Sequence, residues 1–279
     1  MYKFVFLGGD SRAVAAHKYL LSLGYDSLIL NVETNADAVS GEYIKYARRA
    51  DVLVLPAPLT IDGVHIRGSC GVDVADIFSV LAAGTVVFAG GLPSIYKKPG
   101  SRYINYLEDE KYVLEMAYLT AEGTLGYLLS EYPRALRDSK IVITGWGRIA
   151  KYLHRLLTYF TNQITVVLRR EDIISELMHS GQSACNFELL GEVCANADIV
   201  INTVPSEVIS KQVIDLMDCD ICLIDLASKP GGIDFPYARE LGLEPVHLLS
   251  LPGKCAPVTA GDMLAKCILN NLEKNGDNI

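Results

Sequence analysis

A glycine-bearing turn between two apolar runs carries the strongest chemical signal in the sequence. Residues 140–144 read as a strand. Gly145-Trp146-Gly147-Arg148-Ile149-Ala150 reads as a turn opening a helix, and residues 164–168 as a second strand. Strand, turn, helix and strand within about 30 residues is the layout of a dinucleotide-binding βαβ unit. Gly145 permits the tight turn, Gly147 leaves room for a pyrophosphate, and Ala150 lets the helix pack on the sheet. The free N–H groups at the helix start suit an anion. At the end of the second strand, where an NAD-binding unit places a carboxylate for the ribose 2′-OH, this chain has Arg169 and Arg170. A guanidinium holds a 2′-phosphate with charge-assisted bonds, so the expected cofactor is NADP(H) rather than NAD(H).

Two further loops follow apolar runs and so lie at carboxyl ends of strands, where open α/β sheets bind ligands. One is Thr203-Val204-Pro205 and the other Ala227-Ser228-Lys229-Pro230-Gly231-Gly232. A partial phosphate loop, Gly8-Gly9-Asp10-Ser11-Arg12, follows the first strand. Its helix start could hold a phosphate or carboxylate, with Arg12 supplying charge.

The elements that must position these residues alternate strand and helix almost throughout. Strands are predicted near 3–7, 27–31, 51–55 and 85–88, then near 140–144, 164–168, 198–201, 221–226 and 244–247. Helices are predicted near 12–23, 41–48 and 72–82. Lys97-Lys98 and Pro99-Gly100 mark a solvated, turn-rich stretch. A helix over 121–131, capped by Thr120, and an amphipathic helix over 260–274 complete the pattern. The fold class is α/β, with two doubly wound parallel-sheet domains. Residues 1–118 form a flavodoxin-like substrate domain and 119–257 a Rossmann dinucleotide-binding domain. Residues 258–279 form a C-terminal helix that packs back on the first.

With 279 residues, half of them hydrophobic, the chain can bury substantial cores. A net charge of −8 disfavours nucleic acid and anionic membranes as partners. No apolar run has the length of a membrane span, and no signal-peptide pattern is visible, so a cytoplasmic location is expected. Seven scattered cysteines suit a reducing compartment. Cys219 and Cys222 form a lone CxxC without a second pair, read as buried thiols, and the histidines show no metal-ligand spacing. Apolar helical faces near Leu125 and Leu129 and at the C-terminus offer a surface for self-association.

Taken in order, the motifs Gly8-Gly9-Asp10-Ser11-Arg12, Leu55-Pro56-Ala57-Pro58-Leu59-Thr60, Thr120-Ala121-Glu122-Gly123 and Gly145-Trp146-Gly147-Arg148 form the first half of a pattern. Asn202-Thr203-Val204-Pro205-Ser206, Asp225-Leu226-Ala227-Ser228-Lys229-Pro230-Gly231-Gly232 and Leu251-Pro252-Gly253-Lys254-Cys255-Ala256-Pro257 complete it. The whole resembles the A-subunit family of dipicolinate synthase from endospore-forming bacteria, from Phe4 to about Leu269. Leu59 stands where that pattern leads one to expect glycine, and Lys254-Cys255 where it has a more apolar pair.

The resemblance implies oxidation of a dihydrodipicolinate, derived from hydroxytetrahydrodipicolinate, to pyridine-2,6-dicarboxylate during sporulation. It also implies a dinucleotide cofactor, a B subunit similar to flavin-binding proteins as partner, and the mother-cell cytoplasm as location. A cyclic dicarboxylate calls for cations and hydroxyls. The candidates are Arg12, Lys229 and Lys254 with Thr60, Thr120, Ser228 and Thr259, each expected in a loop at an inter-domain cleft. Glu122 and Asp10 are candidate general bases. Glu122 is expected at a helix start, and Asp225 is expected to order the Ser228-Lys229 loop. No histidine shows the carboxylate context of a hydroxyacid dehydrogenase, although His247 ends a strand. Two other readings remain open. One is a two-domain NADP-dependent 2-hydroxy or 2-amino acid dehydrogenase, the other a non-catalytic dinucleotide-binding regulatory subunit.

Overall fold

The computed structural model describes residues 3–32, 42–97, 100–274 and 276. Lys98 and Pro99, the first residue of the helix read from 41, and most of the tail beyond Lys274 lie outside the described residues. The chain divides into two compact units, Met1–Met116 with Pro252–Ile279, and Ala117–Leu251.

The first unit starts with β1 (Lys3–Leu7), α1 (Ser11–Ser22), β2 (Asp26–Leu30), α2 (Tyr43–Arg48) and β3 (Val52–Val54). It continues with α3 (Val74–Val80), β4 (Val86–Phe88), β5 (Arg102–Ile104) and the start of α4 (Glu110–Glu131). All strand pairs are parallel, in the order β2-β1-β3-β4-β5, which is the flavodoxin-like arrangement. Strand alternation builds two cores at once. Phe4, Phe6, Val52 and Val54 face one layer, and Val5, Leu7, Leu53 and Leu55 face the other. Successive side chains point to opposite faces, and a parallel sheet is covered on both.

The second unit contains β6 (Ile141–Thr144), α5 (Arg148–Leu157), β7 (Ile164–Val167), α6 (Glu171–His179), β8 (Ser183–Cys185) and α7 (Leu190–Ala195). Then come β9 (Ile199–Asn202), α8 (Lys211–Ile214), β10 (Cys222–Asp225), α9 (Phe235–Glu240) and β11 (Val246–His247). The order β11-β10-β9-β6-β7-β8, parallel throughout, is the doubly wound dinucleotide-binding topology. Ile141, Ile143, Ile199 and Ile201 face α4 and α5, while Val142 and Val200 face the layer of α7 and α9. After α10 (Leu251–Cys255), α11 (Pro257–Lys274) packs against α1 in the first unit. Gly261 makes this approach close, because a Cβ there would lie 2.7 Å from Ala16 N and 2.8 Å from Arg12 O.

The structure departs from the sequence reading in two places that matter for function. Helix α4 begins eleven residues before the predicted start at 121. Asp109, not Thr120, provides the starting bond, its Oδ1 accepting from Tyr112 N at 3.1 Å. The buried positions Ala117, Ala121, Thr124 and Leu128 continue one helical stripe through residue 120. Thr120 and Glu122 therefore sit inside the helix. Likewise, the segment after Leu251, read as a loop, is helical almost throughout. Pro252 and Pro257 open helices rather than breaking them, since proline lacks only an N–H that a first turn leaves unused. Two short strands, β5 and β8, were not foreseen; three residues are too few to show a period of two.

Candidate functional site

In the second unit the turn after β6 is held by the loop after β9. Gly145 has φ +89°, and a Cβ there would meet Thr203 Oγ1 at 2.7 Å and Val204 Cγ2 at 3.1 Å. Only glycine adopts that conformation so close to a neighbouring chain without strain. Thr203 donates through Oγ1 to Thr144 O at 2.7 Å and through its N–H to the same oxygen at 3.2 Å. The predicted cofactor residues of the two loops, Gly145 and Gly147 with Thr203, Val204 and Pro205, thus come to neighbouring strand ends at the switch in strand order. Ligands bind at that point in open α/β sheets.

Gly147 is the N-cap of α5, without a side-chain cap, and no acidic residue occupies the first turn. A Cβ on Gly147 would point into open space, with nothing within 4 Å. Unused amide groups and an open approach fit a diphosphate. Arg148 is exposed at the helix start. Trp146 and Ile149 instead turn inward, Trp146 packing edge-on against His154 at 5.4 Å, and both join the apolar layer.

Beneath this turn lies a polar cluster that the sequence reading resolved only in part. Thr144 Oγ1 donates to Asn202 Oδ1 at 2.6 Å, which also accepts from Val204 N at 3.0 Å. Asn202 Nδ2 donates to Asp225 Oδ1 at 2.8 Å and to Val204 O at 3.0 Å. Asp225, fully buried, accepts further from Ala227 N at 2.9 Å and Gly232 N at 2.7 Å. The carboxylate closes the loop that bears Ser228 and Lys229, both exposed. Nearby, His247 Nε2 contacts Ala227 O at 2.7 Å, and its ring stacks on Phe235.

The two arginines after β7 are not equivalent. Arg170 is paired with Asp172, Nη2 to Oδ2 at 2.5 Å and Nε to Oδ1 at 3.2 Å. Arg169 is exposed, with its guanidinium carbon 5.8 Å from the centre of the Phe187 ring.

The first unit has its own crevice at its own switch in strand order, between the loops following β1 and β3. Asp10 caps α1 and grips Arg12 with both oxygens, at 2.9 Å to Nε and 2.7 Å to Nη2. Arg67 Nη2 reaches the same carboxylate at 3.3 Å. Phe6, Ala57, Tyr106, Tyr112 and Leu264 complete the walls. Burial works to raise the Asp10 pKa, but the hydrogen bond and charge of Arg12 and the charge of Arg67 outweigh it, and the net shift is downward. Arg12 is raised: its own burial opposes this and is overcome by Asp10. Burial lowers Arg67. Burial also pushes Tyr112 up to about 12 and raises Tyr106, whose hydroxyl donates to Leu55 O at 3.0 Å.

Arg67 was missed in the sequence because it lies in a loop without periodicity. The signal was Gly68, which packs its backbone against Gly9, while Gly9 N donates to Arg67 O at 2.8 Å. Leu59, where a glycine was expected, is buried and accepts from Arg67 N at 2.8 Å, so this residue belongs to the support of Arg67. Gly253 rests on the Asp10–Arg12 pair, and Ser11 Oγ donates to its carbonyl.

Of the remaining candidates, Thr60 lies in a loop as expected, whereas Glu122, Thr120, Lys254 and Thr259 lie within helices. Glu122 is an exposed mid-helix residue, so its supposed place at a helix start is corrected. Thr120 is also within α4, its carbonyl accepting from Thr124 Oγ1 at 2.8 Å. Lys254 and Thr259 are exposed residues of α10 and α11. Thr60 Oγ1 accepts from Gly63 N at 3.2 Å and stabilises a turn. One histidine pairs with a carboxylate, but in a surface turn and not in the context of a hydroxyacid dehydrogenase. His65 Nδ1 lies 2.6 Å from Asp62, but the same carboxylate accepts from Val64 N and His65 N and closes an exposed turn. No group of three or more metal-ligating side chains occurs among the described residues. None of the helices described is long and apolar enough to cross a membrane.

Two parallel-sheet units, one of them with a glycine turn opening on a helix start, define the fold of the dinucleotide-binding dehydrogenases. Comparison with known proteins is consistent with that class. No family model matches the sequence. The A subunit of dipicolinate synthase from Bacillus subtilis (strain 168) is 26% identical over 285 residues, covering 95% of this chain and 94% of that protein. The crystal structure of the corresponding A subunit from Bacillus halodurans superposes with a TM-score of 0.85 at 22% identity, covering 97% of both chains. A transhydrogenase from Sinorhizobium meliloti shares the fold at a TM-score of 0.68 and 19% identity, over 98% of this chain and 93% of that one. The resemblance to the A subunit of dipicolinate synthase therefore holds over nearly the whole chain.

Proposed function

We propose that this protein is the dinucleotide-dependent component of a dipicolinate synthase. It would oxidise a dihydrodipicolinate to pyridine-2,6-dicarboxylate with NADP⁺. The observation that carries the reading is the start of α5, where an uncapped turn with a bare Gly147 leaves amide groups and space for a diphosphate. The similarity over 95% of the chain to the dipicolinate synthase A subunit supports the substrate assignment.

When bound, the nicotinamide supplies the hydride acceptor for the ring oxidation. Gly145, Gly147 and Arg148 would hold the diphosphate, and Thr203, Val204 and Pro205 would border the nucleotide. Arg169 would contact the 2′-phosphate, with Arg170 as a weaker second because Asp172 already engages it. Arg12, in the crevice of the first unit, is the best-placed of the predicted substrate cations, since Lys229 and Lys254 are solvent-exposed. Asp10, whose pKa is lowered by its arginines, is a poor proton acceptor and serves to orient Arg12. Loss of a proton accompanies aromatisation, a downhill step for which solvent water suffices as acceptor. A B subunit is the proposed partner, and the mother-cell cytoplasm the proposed location.

The test mixes purified chain with enzymatically generated precursor and either NADP⁺ or NAD⁺, with and without the B subunit, and follows nicotinamide reduction by absorbance. Reduction that prefers NADP⁺ is expected. Dinucleotide binding without reduction under all conditions would replace the enzyme by a regulatory dinucleotide-binding subunit.

A further inference from the structure

The arginines of the first-unit crevice have unequal amounts of bonding capacity left. Arg12 commits Nε and Nη2 to the two oxygens of Asp10. Arg67 makes one long contact, Nη2 to Asp10 Oδ2 at 3.3 Å, although its side chain is only 15% exposed. Its Nε is buried without any hydrogen-bond partner. Buried N–H groups are nearly always bonded, so an orphan of this kind in a crevice marks a donor aimed at something other than the protein. A guanidinium fork matches the two oxygens of a carboxylate.

Three independent features place a ligand there. The crevice lies at the switch in strand order, where open α/β sheets bind ligands. Its charged groups, two guanidinium ions against one carboxylate, leave one positive charge for an anion. Its other walls are Phe6, Ala57, Leu264 and the rings of Tyr106 and Tyr112, and the space of about 20 Å³ between them has room for a carboxylate group, with the rest of an acid at the mouth. The position of Arg67 is also built in. Its carbonyl and its N–H are both bonded, to Gly9 N and Leu59 O, at 2.8 Å each.

We propose that Arg67 is the carboxylate-recognition residue of this crevice, with Asp10 as the brace that keeps Arg12 and Arg67 side by side. The ligand class is a small planar carboxylic acid. This deepens the functional reading above and rests on it for the choice of acid.

The test is calorimetric titration of the full chain with pyridine-2,6-dicarboxylate, pyridine-2-carboxylate and uncharged pyridine, alongside a separate titration with NADP⁺. Both acids should bind and pyridine should not. Arg67→Met should weaken the acids by about 10- to 100-fold, the loss expected of a charge-assisted pair, and leave NADP⁺ affinity unchanged. Arg67→Lys keeps the positive charge beside Asp10 and protects folding, yet removes the fork, so it should still bind the acids several-fold more weakly. Native affinity in Arg67→Lys, equal loss of acid and NADP⁺ affinity, or no binding of either acid by the native chain would overturn the proposal. Absence of NADP⁺ binding to the native chain would defeat the oxidoreductase reading instead, and the acid titrations would still judge Arg67.

Discussion

Replacing Arg169 should change which cofactor the protein prefers while leaving the fold intact. Its side chain is exposed and lies over the Phe187 ring at 5.8 Å, so removing it opens no cavity. A 2′-phosphate carries close to two negative charges. At about 4 Å from a guanidinium, in solvent of high dielectric, the attraction is about 2 kcal/mol, and a direct charge-assisted bond brings it to about 2–3 kcal/mol. Arg169→Met should therefore weaken NADP⁺ by roughly 30- to 150-fold and NAD⁺ by less than about twofold. Arg170→Met should have a smaller effect on the same ratio, because Asp172 already takes two of the Arg170 donors. Asp172→Ala, which frees Arg170, should raise the NADP⁺ preference. The assay is a fluorescence titration of both cofactors against each variant at low and at high salt. Screening should compress the ratio at high salt. Equal losses for both cofactors in Arg169→Met would refute the 2′-phosphate role and return the strand-end arginines to ordinary surface.

Five other perturbations follow from the same geometry. Gly147→Val should fold normally, since its side chain enters open space, yet abolish dinucleotide binding; Gly145→Val should lower the melting temperature, with about 1–2 kcal/mol from the left-handed backbone alone. Asp225→Leu strands Ala227 N, Gly232 N and one of the two Asn202 Nδ2 hydrogens and should cost at least about 3 kcal/mol in denaturant unfolding, whereas a loss below about 1 kcal/mol would show that the cluster is not the support of the loop. The Asp10 pKa is held below its ordinary 3.8, so its stabilisation is complete above that pH and lost as pH falls through the lower folded value; unfolding of native protein and Asp10→Asn should differ by a constant amount from pH 5 to 8 and converge below pH 3.8, and a gap that widens in acid would contradict the assignment. Gly261→Leu should destabilise the first unit and weaken acid binding together, because its side chain would push against Arg12 O and Ala16 N, and an unchanged melting curve would show that α11 does not set the position of α1.

Local chemistry explains which parts were legible in the sequence. The strands of β6 and β7, with the turn at Gly145, could be read because apolar runs and glycine spacing are properties of contiguous residues. The topology followed from strand–helix alternation, which leaves parallel sheets few arrangements. Helix α4 was misread because Gly123 and Thr120 look like a boundary, while the stripe Ala117, Ala121, Thr124 and Leu128 shows only when the window extends upstream. Arg67 could not be read from its own window, where Gly68 signals only a tight backbone. Its place beside Asp10 comes from Gly9 and Gly68 meeting across separate loops, and nothing in a local window reports that contact.

The two switch points apply the same topological rule with opposite polar accounting, and the difference indicates what each can hold. In the second unit Thr144, Asn202 and Asp225 satisfy one another and the loops above them. What remains for a ligand there is backbone amide and empty space above Gly147, which suits a diphosphate that spreads its charge over several oxygens. In the first unit the backbone of the β1 loop is already bonded, Gly8 N to Leu30 O at 3.2 Å and Gly9 N to Arg67 O at 2.8 Å. The unused donors are on a side chain instead, in the guanidinium of Arg67. A planar fork demands a compact, planar acceptor, and a carboxylate supplies one. On the proposed reading each unit would select its anion by the kind of donor it leaves unspent: main-chain amides for a dinucleotide, a guanidinium for an acid.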